Sequence, residues 1–111
     1  MTARLLSPTA LAVLRALAMG SRYGFDLIDA TSLPSGTVYP ALARLEDQGL
    51  VLSHWEPKRE ARRAKRPQRR YYEVTARGRE ALVEAAERYR ALGRAASATV
   101  RLVVPEEPEA T

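Results

Sequence analysis

SGTVYPALARLEDQGLVLSHWE, residues Ser35 to Glu56, decides the fold. Val38, Ala41, Leu42 and Leu45 recur at the spacing that lines one face of a helix, Ser35 can cap its start, and Gly49 is placed to end it near Gln48. The core does not claim the opposite face, which carries Thr37, Pro40, Ala43, Arg44 and Asp47 with Tyr39 at its border. From Leu50 to Glu56 the pattern changes to that of a strand. A short helix with a small, polar, singly cationic outer face therefore runs almost directly into a strand.

Upstream, Ser7 and Pro8 form a helix-start pair, since a hydroxyl can accept a free backbone N–H and a first-turn proline gives up no hydrogen bond. Ala10, Val13, Leu14 and Leu17 then line a first helix to about Met19, with Gly20 as its stop. A second helix is expected from Tyr23 to about Thr31, burying Tyr23, Leu27 and Ile28, and Leu33 and Pro34 break it. Downstream, Arg69 to Thr75 alternates as a second strand, and the basic segment before it reads as the loop of a hairpin. Thr75 can cap a last helix from about Ala76 to Ser97. The order is three helices, two strands and a helix. This predicts a mainly α chain with a small β-hairpin: a winged helix-turn-helix over residues 1–75, a C-terminal dimerisation helix over 76–100 and a loose, Pro- and Glu-rich tail over 101–111.

With 111 residues the chain has room for one core and no separate catalytic domain. Its formal net charge of +5 favours an anionic partner. That charge is concentrated, because Lys58 to Arg70 holds eight basic residues and one acid, Glu60, so the rest of the chain is net negative. There is no cysteine, which excludes disulfides and thiolate metal sites and fits the cytoplasm. His54, the only histidine, is expected to be an ordinary strand residue, so neither metal nor cofactor is expected. Arg15 interrupts the apolar stretch near the N-terminus, leaving no signal-peptide pattern and no membrane span. No nucleophile and base pair, paired-acid motif or phosphate-cradling glycine loop occurs, so the chain reads as a non-enzyme.

Four stretches together carry a family likeness: YGFDL at Tyr23 to Leu27, TVYPALARLEDQGL at Thr37 to Leu50, RRYYEVT at Arg69 to Thr75 and GRE at Gly78 to Glu80. In these, over about Ser7 to Tyr89, the chain resembles the PadR-like family of bacterial transcriptional regulators. The resemblance implies a winged helix whose third helix reads DNA. It also implies a repressor that leaves DNA when a small aromatic, phenolic or drug-like effector binds between the C-terminal helices of a dimer. Some relatives hold such ligands with a tryptophan in the last helix; this helix has none, leaving Tyr89. The chain also departs from similar wings, where a glycine often precedes the proline, by having Lys65 and Arg66 before Pro67.

The expected partners are therefore double-stranded DNA, a second copy of the chain and a small aromatic effector, with no membrane. The DNA-binding set is Ser35, Thr37, Tyr39, Pro40 and Arg44 from the third helix and Arg62, Arg63, Lys65, Arg66 and Arg69 from the wing. Arg44 suits a guanine or a phosphate; Tyr39 suits either the DNA backbone or packing between helices; Pro40 shapes its helix. Trp55 and the Tyr71, Tyr72 pair suit stacking on bases as well, but are expected to fill the core or pair across the hairpin. Leu82, Ala85, Tyr89, Leu92 and Ala96 alternate four and three apart, the narrow seam by which two helices pack, and form the expected dimer interface, the alternative being that the seam folds back on the chain's own three-helix core. Two rival readings are a protein-interaction module on the same fold and a sequence-blind architectural DNA binder.

Overall fold

The computed structural model describes residues 6–103. Helix α1 (Pro8–Ala18) starts at Ser7, whose Oγ accepts from the Ala10 amide at 3.1 Å. Val13, Leu14 and Leu17 are its buried residues. A turn through Gly20, at φ +119°, leads to α2 (Gly24–Thr31), which ends on Ser32 in the left-handed region. Helix α3 (Ser35–Asp47) follows α2 after three residues, and this α2–turn–α3 unit is the helix-turn-helix. Ser35 is not its cap: Pro34 holds that position without a side-chain hydrogen bond, and Ser35 is the first helical residue. Val38, Ala41, Leu42 and Leu45 are all buried, and the helix continues unbroken through Pro40. Gly49 ends it at φ +73°, where the Leu50 and Gly49 amides return to the Leu45 and Glu46 carbonyls at 3.0 Å each.

Strands β1 (Val51–Trp55) and β2 (Arg70–Val74) form an antiparallel hairpin in which Val51 faces Val74 and Trp55 faces Arg70. Its inner end joins the core through Val51 and Tyr72. The free edge of β2 is met by the residue before α2, since Tyr23 bridges Tyr71 and the Tyr72 amide donates to the Arg22 carbonyl at 2.8 Å. One expectation is corrected at the far end: the basic segment is not a simple loop but begins with a helical turn and a half, α4 (Lys58–Arg63), folded over buried Ala61. Lys65 follows it at φ +54°, with the Arg66 amide donating to Ala61 and the Lys65 amide to Arg62. This helix ending usually takes glycine, and here a lysine bears the cost.

Helix α5 (Ala76–Val103) starts at Thr75, which accepts from the Gly78 amide at 3.0 Å and donates to the Gly49 carbonyl at 2.7 Å. Gly78 lies hard against the end of α3, for a Cβ there would come 2.1 Å from the Leu50 carbonyl oxygen. Ala81, Leu82 and Ala85 then pack on the core built by α1, α3 and the hairpin, so the helix is continuous with the first 75 residues rather than set apart from them. Two further expectations are corrected here. Helix α5 runs past Ser97 to Val103, and Ala85, 3% exposed, is occupied by the chain's own core instead of a partner. Of the expected tail, 104–111 lies outside the described residues.

Candidate nucleic-acid interface

At 3.6 residues per turn, the row of α3 opposite its core row is Gly36, Pro40, Ala43 and Asp47, all exposed. Three of the four are small, so a surface can approach the helix backbone closely. Nothing lies within 4 Å of where a Gly36 Cβ would stand, and Pro40 has no N–H to return to the Gly36 carbonyl. On one flank Thr37, Arg44 and Gln48 look into an open groove whose other wall is Arg77, Glu80 and Glu84. On the other flank stands Tyr39, 45% exposed. The packing reading of Tyr39 holds in part, because its hydroxyl end covers Gly24 at the start of α2 while nearly half of it faces outward.

The wing is organised around Glu56, the one buried charged side chain among the described residues. Arg66 donates to both of its carboxylate oxygens, at 2.5 and 2.8 Å, Tyr71 donates its hydroxyl at 3.0 Å, and the Arg69 amide adds a fourth bond at 3.4 Å. The Arg66 hydrogen bond outweighs burial and holds the Glu56 carboxyl down at about 2, from an ordinary 4.5. Gln68 closes the neck of the wing by donating to the Glu56 carbonyl at 2.6 Å. Arg69 is committed as well, with its guanidinium carbon 4.0 Å from the centre of the Tyr23 ring, and that ring meets Tyr71 edge-on.

The eight cations of the segment are thus divided. Arg66, Arg69 and Arg70 build the wing. Lys58, Arg59, Arg62, Arg63 and Lys65 are exposed on and beside α4 and form no ion pair among the described residues. The sequence reading groups Arg66 and Arg69 with Arg62, Arg63 and Lys65 as DNA-binding residues and does not include Lys58 and Arg59. Its missing signal was the acid Glu56, ten residues before Arg66, which looks like an unremarkable strand residue until the hairpin closes.

A second chain of contacts joins α3 to the wing. Ser53 donates to Glu46 of α3 at 2.5 Å, and Arg70 donates to Ser53 at 2.7 and 3.0 Å while standing 3.5 Å from Glu46. The Arg70 guanidinium carbon also lies 5.4 Å from the Trp55 ring centre. Tyr72 beneath is buried, as expected of the tyrosine pair, and burial pushes its phenol up. Of the two expectations for Trp55 it meets the second: it fills no core, being 59% exposed, and pairs across the hairpin with Arg70. His54 is an exposed strand residue beside Tyr71.

The seam of α5 is split by position. Leu82 and Ala85 face the core, and Tyr89 donates its hydroxyl to the Leu6 carbonyl at 2.5 Å. From Arg90 to Ala98 every residue is exposed, Leu92 to 55%, as the same stripe continues beyond the edge of the domain. No helix among the described residues is long and apolar enough to cross a membrane.

A helix-turn-helix, a hairpin wing with a cationic tip beside it, and a projecting C-terminal helix define the winged helix-turn-helix class of DNA-binding proteins. The sequence profile of the transcriptional regulator PadR-like family matches residues 13–84. The chain belongs to the PadR-like family and is a DNA-binding transcriptional regulator. Solved structures agree in fold. A PadR family transcription regulator from hypervirulent Clostridium difficile superposes with a TM-score of 0.74 at 20% identity, over 85% of this chain and 99% of that one. A transcriptional regulator from Clostridium thermocellum gives 0.68 at 23% identity, over 83% and 89%. Bordetella bronchiseptica BpsR, whose DNA binding is regulated by 6-hydroxynicotinic acid, gives 0.67 at 21% identity, over 86% and 67%. None of the curated proteins compared matches the chain.

Proposed function

We propose that the chain is a sequence-specific repressor that binds a palindromic operator as a homodimer and is released by a small aromatic effector. The observation that carries this reading is the pairing of two surfaces: an α3 row free of core duties, and five wing-tip cations that form no ion pair among the described residues. Gly36, Pro40 and Ala43 admit the helix deep into a major groove, where Thr37, Tyr39 and Arg44 on its flanks meet base edges and phosphates. Lys58, Arg59, Arg62, Arg63 and Lys65 hold the adjacent backbone and supply affinity without sequence preference. Arg66 and Arg69 act indirectly, by keeping the tip in place.

Dimerisation is supported by the distal half of α5, where Leu92 and Ala96 extend an apolar stripe that no described part of the same chain covers. A two-fold pair would set two α3 helices in successive major grooves, about 34 Å apart. Release by an effector is supported by the likeness to BpsR, whose DNA binding responds to an aromatic acid. The test is a gel shift on the DNA upstream of the chain's own gene. Specific binding survives a large excess of random duplex, whereas equal competition by random duplex makes the protein an architectural binder and contradicts the proposal.

A further inference from the structure

Trp55 is exposed to 59%, although an indole is among the most costly side chains to leave in water. Alternation along β1 puts it on the same face of the hairpin as Ser53, and Ser53 is bonded to Glu46 of α3. That face packs on the core at Val51 and Tyr72 and runs out beside the Glu46 flank of α3, where Trp55 is left exposed. Arg70, opposite Trp55 in the ladder, is fixed by Ser53 and Glu46 and lies beside the indole, so the ring rests on a braced support. In the chain Trp55 stands between α3 and the free cations that begin at Lys58. Trp55 is thus three residues before the first of those cations.

We propose that Trp55 is a DNA contact, its indole packed on the deoxyribose faces of the strand that crosses from α3 to the wing tip and its ring N–H directed at a phosphate oxygen. This rests on the DNA-binding reading above and adds an apolar anchor to an interface otherwise made of cations and small polar groups. Sugar faces are the same in every sequence, so Trp55 contributes affinity and register without base preference. Its bracing by Arg70 means that little side-chain freedom is lost on binding.

Trp55 is the only tryptophan in the chain, so intrinsic fluorescence reports on this residue alone. The full-length protein is titrated with a fluorescein-labelled duplex from its upstream region at low salt, with binding followed by label anisotropy. Quenching of Trp55 by acrylamide is measured before and after saturation. Strong quenching in the free protein that falls several-fold on the duplex is the expected result. Trp55→Ala, checked for native circular dichroism, then loses about tenfold in affinity for specific and random duplex alike, and Trp55→Phe recovers part of it. A bound duplex with unchanged quenching overturns the proposal, as does weak quenching in the free protein, which would mean a second copy covers the ring. An anisotropy that never rises overturns the DNA-binding reading itself.

Discussion

Adding one methyl group at either of two buried glycines separates packing that cannot yield from packing that can. At Gly78 a Cβ would stand 2.1 Å from the Leu50 carbonyl oxygen and 2.8 Å from Val74 Cγ1. Ordinary contact needs more than 1 Å of extra room, and the obstacle is backbone at the junction of α3 and β1. Gly78→Ala must therefore push the first turn of α5 outward, straining the Thr75 bonds to Gly78 and Gly49. Overpacking costs about 1–3 kcal/mol and a weakened cap about 1, against a helix-propensity gain of at most about 1, for a net loss of about 2 kcal/mol. That corresponds to a fall in Tm of about 8 °C. At Gly24 the obstacle is the hydroxyl end of Tyr39, at 2.0 Å, on a side chain already 45% exposed and free to swing outward. Gly24→Ala should cost well under 1 kcal/mol, yet displace Tyr39 and weaken DNA binding. Urea unfolding followed by circular dichroism measures both, with m unchanged. A Gly78→Ala protein as stable as wild type, or a Gly24→Ala protein less stable than Gly78→Ala, would refute the reasoning.

Three other outcomes are expected. Arg44→Ala narrows the difference in affinity between operator and random duplex by about 1–3 kcal/mol, whereas Arg63→Ala weakens both equally; gel shifts on the two duplexes compare them. Leu92→Asp, which sets a charge in the proposed dimer seam, gives a folded monomer by sedimentation with much weaker operator binding. Glu56 titrates lower in the folded chain than in the unfolded one, so its stabilising effect is full above the unfolded value of 4.5 and fades as pH falls toward about 2. In acid titrations followed by Tyr and Trp fluorescence, Glu56→Gln therefore loses stability at neutral pH and loses less than wild type across that window.

The sequence made the helices legible where one face had to be apolar and one end had to be glycine or a hydroxyl. Val38, Ala41, Leu42 and Leu45, the Ser7 and Thr75 caps and the Gly49 stop all lie where such local chemistry puts them. The wing was less legible because its order is set by contacts between residues distant in sequence. Glu56 claims Arg66 across 10 residues, and Tyr23 claims Arg69 across 46. Spacing alone gave no sign that two arginines of a uniform basic run were structural. The seam of α5 misled for a related reason: one periodic stripe serves the chain's own core at Ala85 and leaves it at Leu92, and periodicity does not record where the core ends.

The central claim, that α3 and the two wing tips of a dimer clasp DNA through its phosphates, is tested most directly by the salt dependence of operator affinity. Each protomer offers Arg44 and the five tip cations that form no ion pair among the described residues, and roughly six to ten of these are expected to reach phosphates in the dimer. Counterion release then gives a slope of log affinity against log salt of about −5 to −9. Anisotropy titrations of a labelled operator duplex over a series of salt concentrations yield that slope. A value shallower than about −3 would mean that no more than three or so phosphates are engaged, and would contradict the account.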